Sequence, residues 1–266
     1  MKLTDILICP KTGNNLRFAD SDSVVQVDGS DITYPVIDGI VDFPGERQDR
    51  VSASYDSAAH RYDAYMTSST LFMKVCNTLI WGISDDRKYI DMFLSYLPSQ
   101  FDGVLLDVPV GTGIFTAPVY AGFPDATIMA VDSSMGMLRK AGERFQQQGL
   151  KNFRLIRADV ANLPVRDTAV DVVLSMNGWH AFADKGRAKA EFSRVLRKEG
   201  MLIACGYVEG AGRRADWFVK HYGVRNGFFT PPFFCVGDIA RQFANFSITR
   251  QGNVKSVAYF QAVKKD

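Results

Sequence analysis

The sequence predicts an α/β protein: an open, doubly wound sheet of seven strands ending in an antiparallel hairpin, preceded by a small β module and a helical cap. Three observations carry that prediction. From residue 104 onward, short apolar runs alternate with helical stretches, the pattern of parallel βαβ units whose sheet is covered on both faces. The last two apolar runs, SITRQGNV and SVAYFQAVK, follow one another with no helix between them and so pair antiparallel. Residues 1–45 instead carry turn punctuation, at Thr12-Gly13-Asn14-Asn15, Asp28-Gly29-Ser30-Asp31 and Asp38-Gly39, which breaks the chain into short strands.

Residues 46–99 read as the helical cap and substrate region. YDSAAHRYDAYM and LFMKVCNTLIWGI place apolar residues three and four apart, and Pro98 ends the segment. Its aromatics Tyr55, Tyr62, Tyr65, Phe72 and Trp81 suit either a pocket wall or ordinary core. Residues 100–266 hold the main domain. There VLLDVPV, TIMAVDSS, FRLIRADV, AVDVVLSMN and MLIACGYV read as strands, while TAPVYAGF, MGMLRKAGERFQQQG and GRAKAEFSRVLRKEG read as helices. An insertion at about 209–235, rich in Trp217, His221, Tyr222, Phe228, Phe229, Phe233 and Phe234, reads as a lid over an apolar substrate or as a dimer contact. DIARQFANF is a further helix before the hairpin.

The totals bound the function classes. At 266 residues, with 47% hydrophobic and 23% charged, the chain buries a full core with room for a small module. A net charge of +2 sets up no field that demands a nucleic acid or membrane surface, and a local basic patch is compatible with it, so charge leaves the substrate open. Cys9, Cys76, Cys205 and Cys235 form no C-x-x-C pair, so neither a disulfide framework nor a metal site is expected. MKLTDILICPKTG is too short an apolar run for a secretory signal, and no stretch reaches the roughly 20 apolar residues of a membrane span. The expected location is cytoplasmic.

Chemistry concentrates where LDVPVGTG (106–113) leaves the first strand of the sheet and opens a helix, the place where open α/β sheets bind ligands. Gly111 and Gly113 let the backbone bend tightly against a ligand, and the helix N-terminus offers free N–H groups. A third dinucleotide-type glycine would fall at Thr116, which is too large for that packing and argues against a nicotinamide oxidoreductase. About 20 residues on, Asp132 ends the second strand, where a carboxylate can accept from both ribose hydroxyls or simply cap the next helix. Met135 offers a thioether to an aromatic face.

These motifs resemble class I S-adenosylmethionine-dependent methyltransferases, of the methyltransferase type 11 and UbiE-like group, and so a Rossmann-like fold. Asp107 and the glycine loop resemble the family's D-x-G-x-G-x-G, with Pro109 in place of the first glycine. ADVANLP resembles D-x-x-x-L-P, which implies that Asp159 accepts from the adenine amino group while Val160 offers its N–H. AVDVVLSMNGWHAF resembles the fourth-strand motif, bringing Asn177 beside the transferred methyl, and FSRVLRKEG resembles the helix and turn before the fifth strand. The implied cofactor is S-adenosyl-L-methionine, held by Asp107, Pro109, Gly111, Gly113, Asp132, Ser133, Met135, Asp159, Val160 and Asn177. The N-terminal wording, ICPKTGNNL then DITYPVIDGIVDFP, resembles a zinc-ribbon (Trm112-like) module. Only Cys9 remains of its ligands, the other positions being Thr12, Val27 and Ser30, so no thiolate zinc site is implied.

The implied reaction is in-line methyl transfer to a small-molecule acceptor, which needs alignment and exclusion of water more than acid–base groups. His180, just past the fourth strand, is the candidate base, or else a local packing residue. Tyr55, Tyr62 and Trp179 are the candidate acceptor contacts, with His60 nearby. Two other readings stay open: a base methyltransferase of ribosomal or transfer RNA, and a non-catalytic binding protein in which Pro109 has cost the fold its cofactor.

Overall fold

The computed structural model describes residues 5–18, 23–43, 50–66, 75, 78–83 and 86–265. Phe72 and Cys76 and the side chains of His60 and Tyr65 lie outside what is described, as does the boundary expected at 45/46. In chain order the elements are β1 (Leu16–Phe18), β2 (Val24–Val27), β3 (Thr33–Ile37), β4 (Ile40–Asp42), α1 (Arg50–Met66), α2 (Asp86–Leu94), β5 (Val104–Asp107), α3 (Ala117–Tyr120) and β6 (Thr127–Asp132). There follow α4 (Met135–Gln147), β7 (Phe153–Arg157), β8 (Val170–Met176), α5 (Lys185–Val195), β9 (Leu196–Tyr207), α6 (Arg213–Phe218), α7 (Ile239–Gln242), β10 (Phe246–Val254) and β11 (Val257–Lys264).

The sheet order is β1-β2-β3-β4-β7-β6-β5-β8-β9-β11-β10. Strands β4 through β9 run parallel across the centre, and β11 and β10 close that end antiparallel, as the two helix-free runs require. Side chains alternate between two cores. Leu106, Met129, Val173 and Leu202 face one side with Phe192 of α5, and Leu105, Ile128, Val172 and Ile203 face the other with Phe93 and Phe145. Helices cover both faces, which satisfies the apolar character of these strands.

Two expectations need correction. The sheet has eleven strands rather than seven, because the N-terminal strands do not form a separate layer. Strand β4 pairs parallel with β7, Ile40 opposite Leu155 through Asp42 opposite Arg157, and so covers the edge that β7 would otherwise leave open. The helix predicted to run through Gly200 stops at Val195, and residues 196–200 already belong to β9. Leu196 pairs with Val170 and Met201 with Val172, so Lys198-Glu199-Gly200 forms an irregularity inside the strand, with Glu199 at φ 59°.

Candidate active site

The loop after β5 is pinned on both sides: the Val108 amide donates to Leu174 O and the Val110 amide to Val131 O, each at 2.9 Å. Its left-handed residues are Gly111 (φ 57°) and Gly113 (φ 64°). A Cβ at Gly113 would lie 2.8 Å from the Phe145 ring, whereas one at Gly111 would meet no atom within 4 Å. Glycine is thus required at 113 by packing and at 111 by backbone conformation. Pro109 does not sit at a left-handed position, and its ring fills the space a side chain at Gly178 would need, 2.1 Å from that missing Cβ. The proline ring is therefore accommodated by a glycine on the β8 side.

Three acids stand at the carboxyl ends of consecutive strands. Asp107 is 1% exposed, and its Oδ2 accepts from the Tyr120 hydroxyl at 2.7 Å. Its Oδ1 is buried and has no hydrogen-bond partner among the described residues. Burial pushes this carboxyl up to about 7, against the opposing pull of the Tyr120 hydrogen bond. Asp132 accepts from the Gly111 amide through Oδ2 and the Ser134 amide through Oδ1, both at 2.9 Å, and burial raises it to about 6. Capping of α4 falls to Ser134, whose Oγ accepts from the Met137 amide at 3.1 Å, which leaves Asp132 to hold the glycine loop. Asp159 is exposed and accepts from the Ala161 amide at 2.9 Å.

These groups surround one cavity of about 350 Å³. Of the residues singled out from sequence, Asp107, Pro109, Gly111, Gly113, Asp132, Ser133, Asp159, Val160, Asn177, Tyr55 and Tyr62 line it. Met135, Trp179 and His180 do not. Met137 lines the cavity in place of Met135, which packs against the core on the α2 side of the sheet. Trp179 is buried in the core, its ring 5.0 Å from those of Phe234 and of Phe243. His180 stacks on Phe229 at 4.3 Å, and its Nδ1 accepts from the Tyr207 amide at 3.4 Å. Burial, helped by the nearby Lys185 charge, drives its pKa down to about 3, so this imidazole is neutral at physiological pH.

Besides Met137, four residues that shape the cavity escaped the reading of the sequence: Asp56, Asp63, Phe43 and Asp42. On α1, Asp56 Oδ1 accepts from Ser134 Oγ at 2.6 Å and from the Gly136 amide at 2.9 Å, so it binds the start of α4. Seven residues on, Asp63 accepts from Thr112 Oγ1 at 2.5 Å and from Arg144 at 2.7 Å, and Arg144 also donates to Thr112 O. The Tyr-Asp pair repeated at 55–56 and 62–63 was the available signal, since seven residues is two helical turns and puts both acids on one face. Phe43 and Asp42 come from the N-terminal strands. Phe43 lines the cavity with its amide on Arg157 O at 2.9 Å, and Asp42 pairs with Arg157 at 3.2 Å. No local pattern marks them, because only the β4–β7 pairing brings them here.

Residues 106–204 match the methyltransferase domain family. A malonyl-[acyl-carrier protein] O-methyltransferase of Methylococcus capsulatus is 32% identical over 199 residues, 74% of this chain and 66% of that protein. A demethylmenaquinone methyltransferase of Thermobifida fusca is 28% identical over 64% of this chain and 68% of its own length. The chain spans about half or less of the length of other curated relatives, such as an uncharacterized chloroplastic methyltransferase of Arabidopsis thaliana (31% identical, 48% of this chain, 38% of that protein). In fold it is similar to a chain from the complex between the Haloferax volcanii Trm112 methyltransferase activator and a methyltransferase. That match has a TM-score of 0.60 and 14% identity, over 80% of this chain and 98% of the other. Among the described residues no helix is long and apolar enough to cross a membrane. The domain over residues 106–204 belongs to the class I S-adenosylmethionine-dependent methyltransferases, with S-adenosyl-L-methionine as its cofactor.

Proposed function

We propose that the protein transfers a methyl group from S-adenosylmethionine to a small, largely apolar acceptor held between α1 and the loop after β8. One observation carries this reading: a single cavity joins the glycine loop and the three strand-end acids to a wall of Tyr55, Tyr62, Met176 and Phe182. The residues present fit the cofactor. Asp107 Oδ1, buried and without a partner, suits the ammonium of a methionine moiety. Asp132 has lone pairs left for ribose hydroxyls, and Asp159, Val160, Met137 and Phe43 surround space for a purine. When bound, the cofactor supplies a methyl group made electrophilic by its sulfonium.

The chain's own part is alignment and exclusion of water. Helix α1 roofs the cavity, tied down by Asp56 and Asp63, and the insertion supports it from outside, where Ser54 donates to Asn226 O at 2.8 Å and Tyr55 to Phe228 O at 3.4 Å. His180 serves as packing between β9 and Phe229 rather than as the base. Its neutral form is held in place, but it stands off the cavity wall. Residues 5–43 act as a metal-free derivative of the zinc-ribbon module. The turn from Cys9 to Gly13 persists, with Cys9 Sγ hydrogen-bonded to the Tyr34 hydroxyl at 3.2 Å, and the segment supplies Phe43 to the site.

The test is calorimetry with S-adenosylhomocysteine, followed by transfer of labelled methyl to a panel of acceptors. That panel includes malonyl thioesters and demethylated quinones, the classes named for the relatives. Micromolar product binding and labelling of at least one apolar acceptor are expected. Failure to bind S-adenosylhomocysteine would remove the reading altogether.

A further inference from the structure

The segment after β9 presents a face that methyl transfer does not use. Helix α6 and its continuation through Gly223 bury Ala215 and Val219 against Tyr207. Asp216 also turns inward, accepting from the Tyr207 hydroxyl at 2.7 Å and the Gly210 amide at 3.2 Å. Along 213–225 Asp216 is the one acid, and while it turns inward Arg213, Arg214 and Lys220 stand exposed on the outer face. Trp217 and Tyr222 stand exposed among those cations, at 63% and 51%. Trp217 is braced there by stacking on His221 at 4.8 Å, and Tyr222 by stacking on Phe218 at 5.1 Å.

Aromatic rings left in water beside the exposed Arg213, Arg214 and Lys220 mark a surface that something covers. We propose that this face docks on an anionic lipid bilayer surface. Arginine and lysine complement a plane of phosphate headgroups, and tryptophan and tyrosine favour that same interfacial depth, with the ring toward acyl chains and the polar edge toward water. The bracing partners already cover one face of each ring, which leaves less for nucleic-acid bases to stack on than for a ring edge to insert between lipids. The placement also suits an apolar acceptor, because the same segment continues into Asn226 and Phe228, which touch the cavity roof.

The test is co-sedimentation of the full chain with phosphatidylcholine vesicles, with and without phosphatidylglycerol, at low and raised salt. Binding is expected only with phosphatidylglycerol, and it should weaken as salt rises. Arg214→Ala should lower partitioning about fivefold, and Arg213→Ala with Arg214→Ala about 25-fold, at about a factor of five for each basic side chain near the surface. Trp217→Ala should lower it as well. All three variants should bind S-adenosylhomocysteine as the unaltered chain does, since none of these residues lines the cavity. Absence of binding to phosphatidylglycerol vesicles overturns the proposal, and so does binding that these substitutions leave unchanged. Capture of mixed-sequence single-stranded RNA that the same substitutions abolish, without vesicle binding, also overturns it and reassigns the face to nucleic acid. Vesicle binding by a chain that does not bind S-adenosylhomocysteine would keep this inference and remove the methyltransferase reading.

Discussion

Gly111 and Gly113 lie two residues apart in the same loop, yet substitution by alanine should separate their effects. Both have positive φ, and an L side chain there costs about 1–2 kcal/mol. At Gly111 that is the whole stability penalty, since the new Cβ meets nothing within 4 Å. The ligand-free Tm should fall by roughly 2–8 °C for a domain of this size. At Gly113 the Cβ would lie 2.8 Å from a Phe145 ring that is fully buried and wedged against Tyr120 and Phe153. Phe145 cannot swing away freely, so overpacking adds about 1–3 kcal/mol to the backbone penalty.

Binding should rank the two variants the other way. The Gly111 Cβ enters open space on the cavity wall, so S-adenosylhomocysteine affinity should drop at least about tenfold, near 1.4 kcal/mol. The Gly113 Cβ aims at α4, and the folded fraction should bind with a smaller loss. Thermal denaturation without ligand and titration calorimetry measure both quantities. Unchanged affinity in Gly111→Ala would show that the open side of the loop is not where cofactor sits, and a larger stability loss at 111 than at 113 would refute the packing argument.

Other outcomes follow from the same geometry. Because Asp107 and Asp132 are raised to about 7 and 6, the folded state holds their protons more tightly than the unfolded chain does. Their contribution to stability is therefore full below about pH 4 and is lost as pH rises through 6 to 7, while affinity for an ammonium-bearing ligand rises over the same window. Denaturation and calorimetry from pH 5 to 8 should show the opposing trends, and Asp107→Asn should flatten both. Asp56→Ala removes the acceptor at the start of α4 and should cost about 1 kcal/mol, with weaker cofactor affinity and faster proteolysis within α1. Phe43→Leu should leave the chain folded but weaken S-adenosylhomocysteine binding, although residue 43 lies outside the stretch that matches the methyltransferase family. His180→Gln should keep its pH–rate profile, whereas loss of a limb near pH 6.5 would restore the histidine as a base.

The central sheet and the strand-end acids were legible because each rests on local pattern. Strand period, turn glycines and an acid at the close of a strand are set within about ten residues of one another, and Asp107, Gly111, Asp132 and Asp159 duly converge on the cavity. Met135 was off by two, since the helical phase after Ser134 aims Met137 rather than Met135 at the cavity. Trp179 and His180 were misplaced for a different reason: the chain after β8 turns back beneath the insertion, and which aromatic faces core or cavity depends on Phe229, Phe234 and Phe243, 49 or more residues away.

By itself, then, the order of residues determined the parallel sheet, its antiparallel close and the loop that meets the cofactor, because short-range periodicity and glycine conformation act within each segment. Only the tertiary structure decided that residues 40–43 join the sheet edge to build a cavity wall, and that two acids on α1 fasten its roof. Those contacts depend on pairings across tens of residues, and their strength comes from burial, which no local stretch of chain can produce alone.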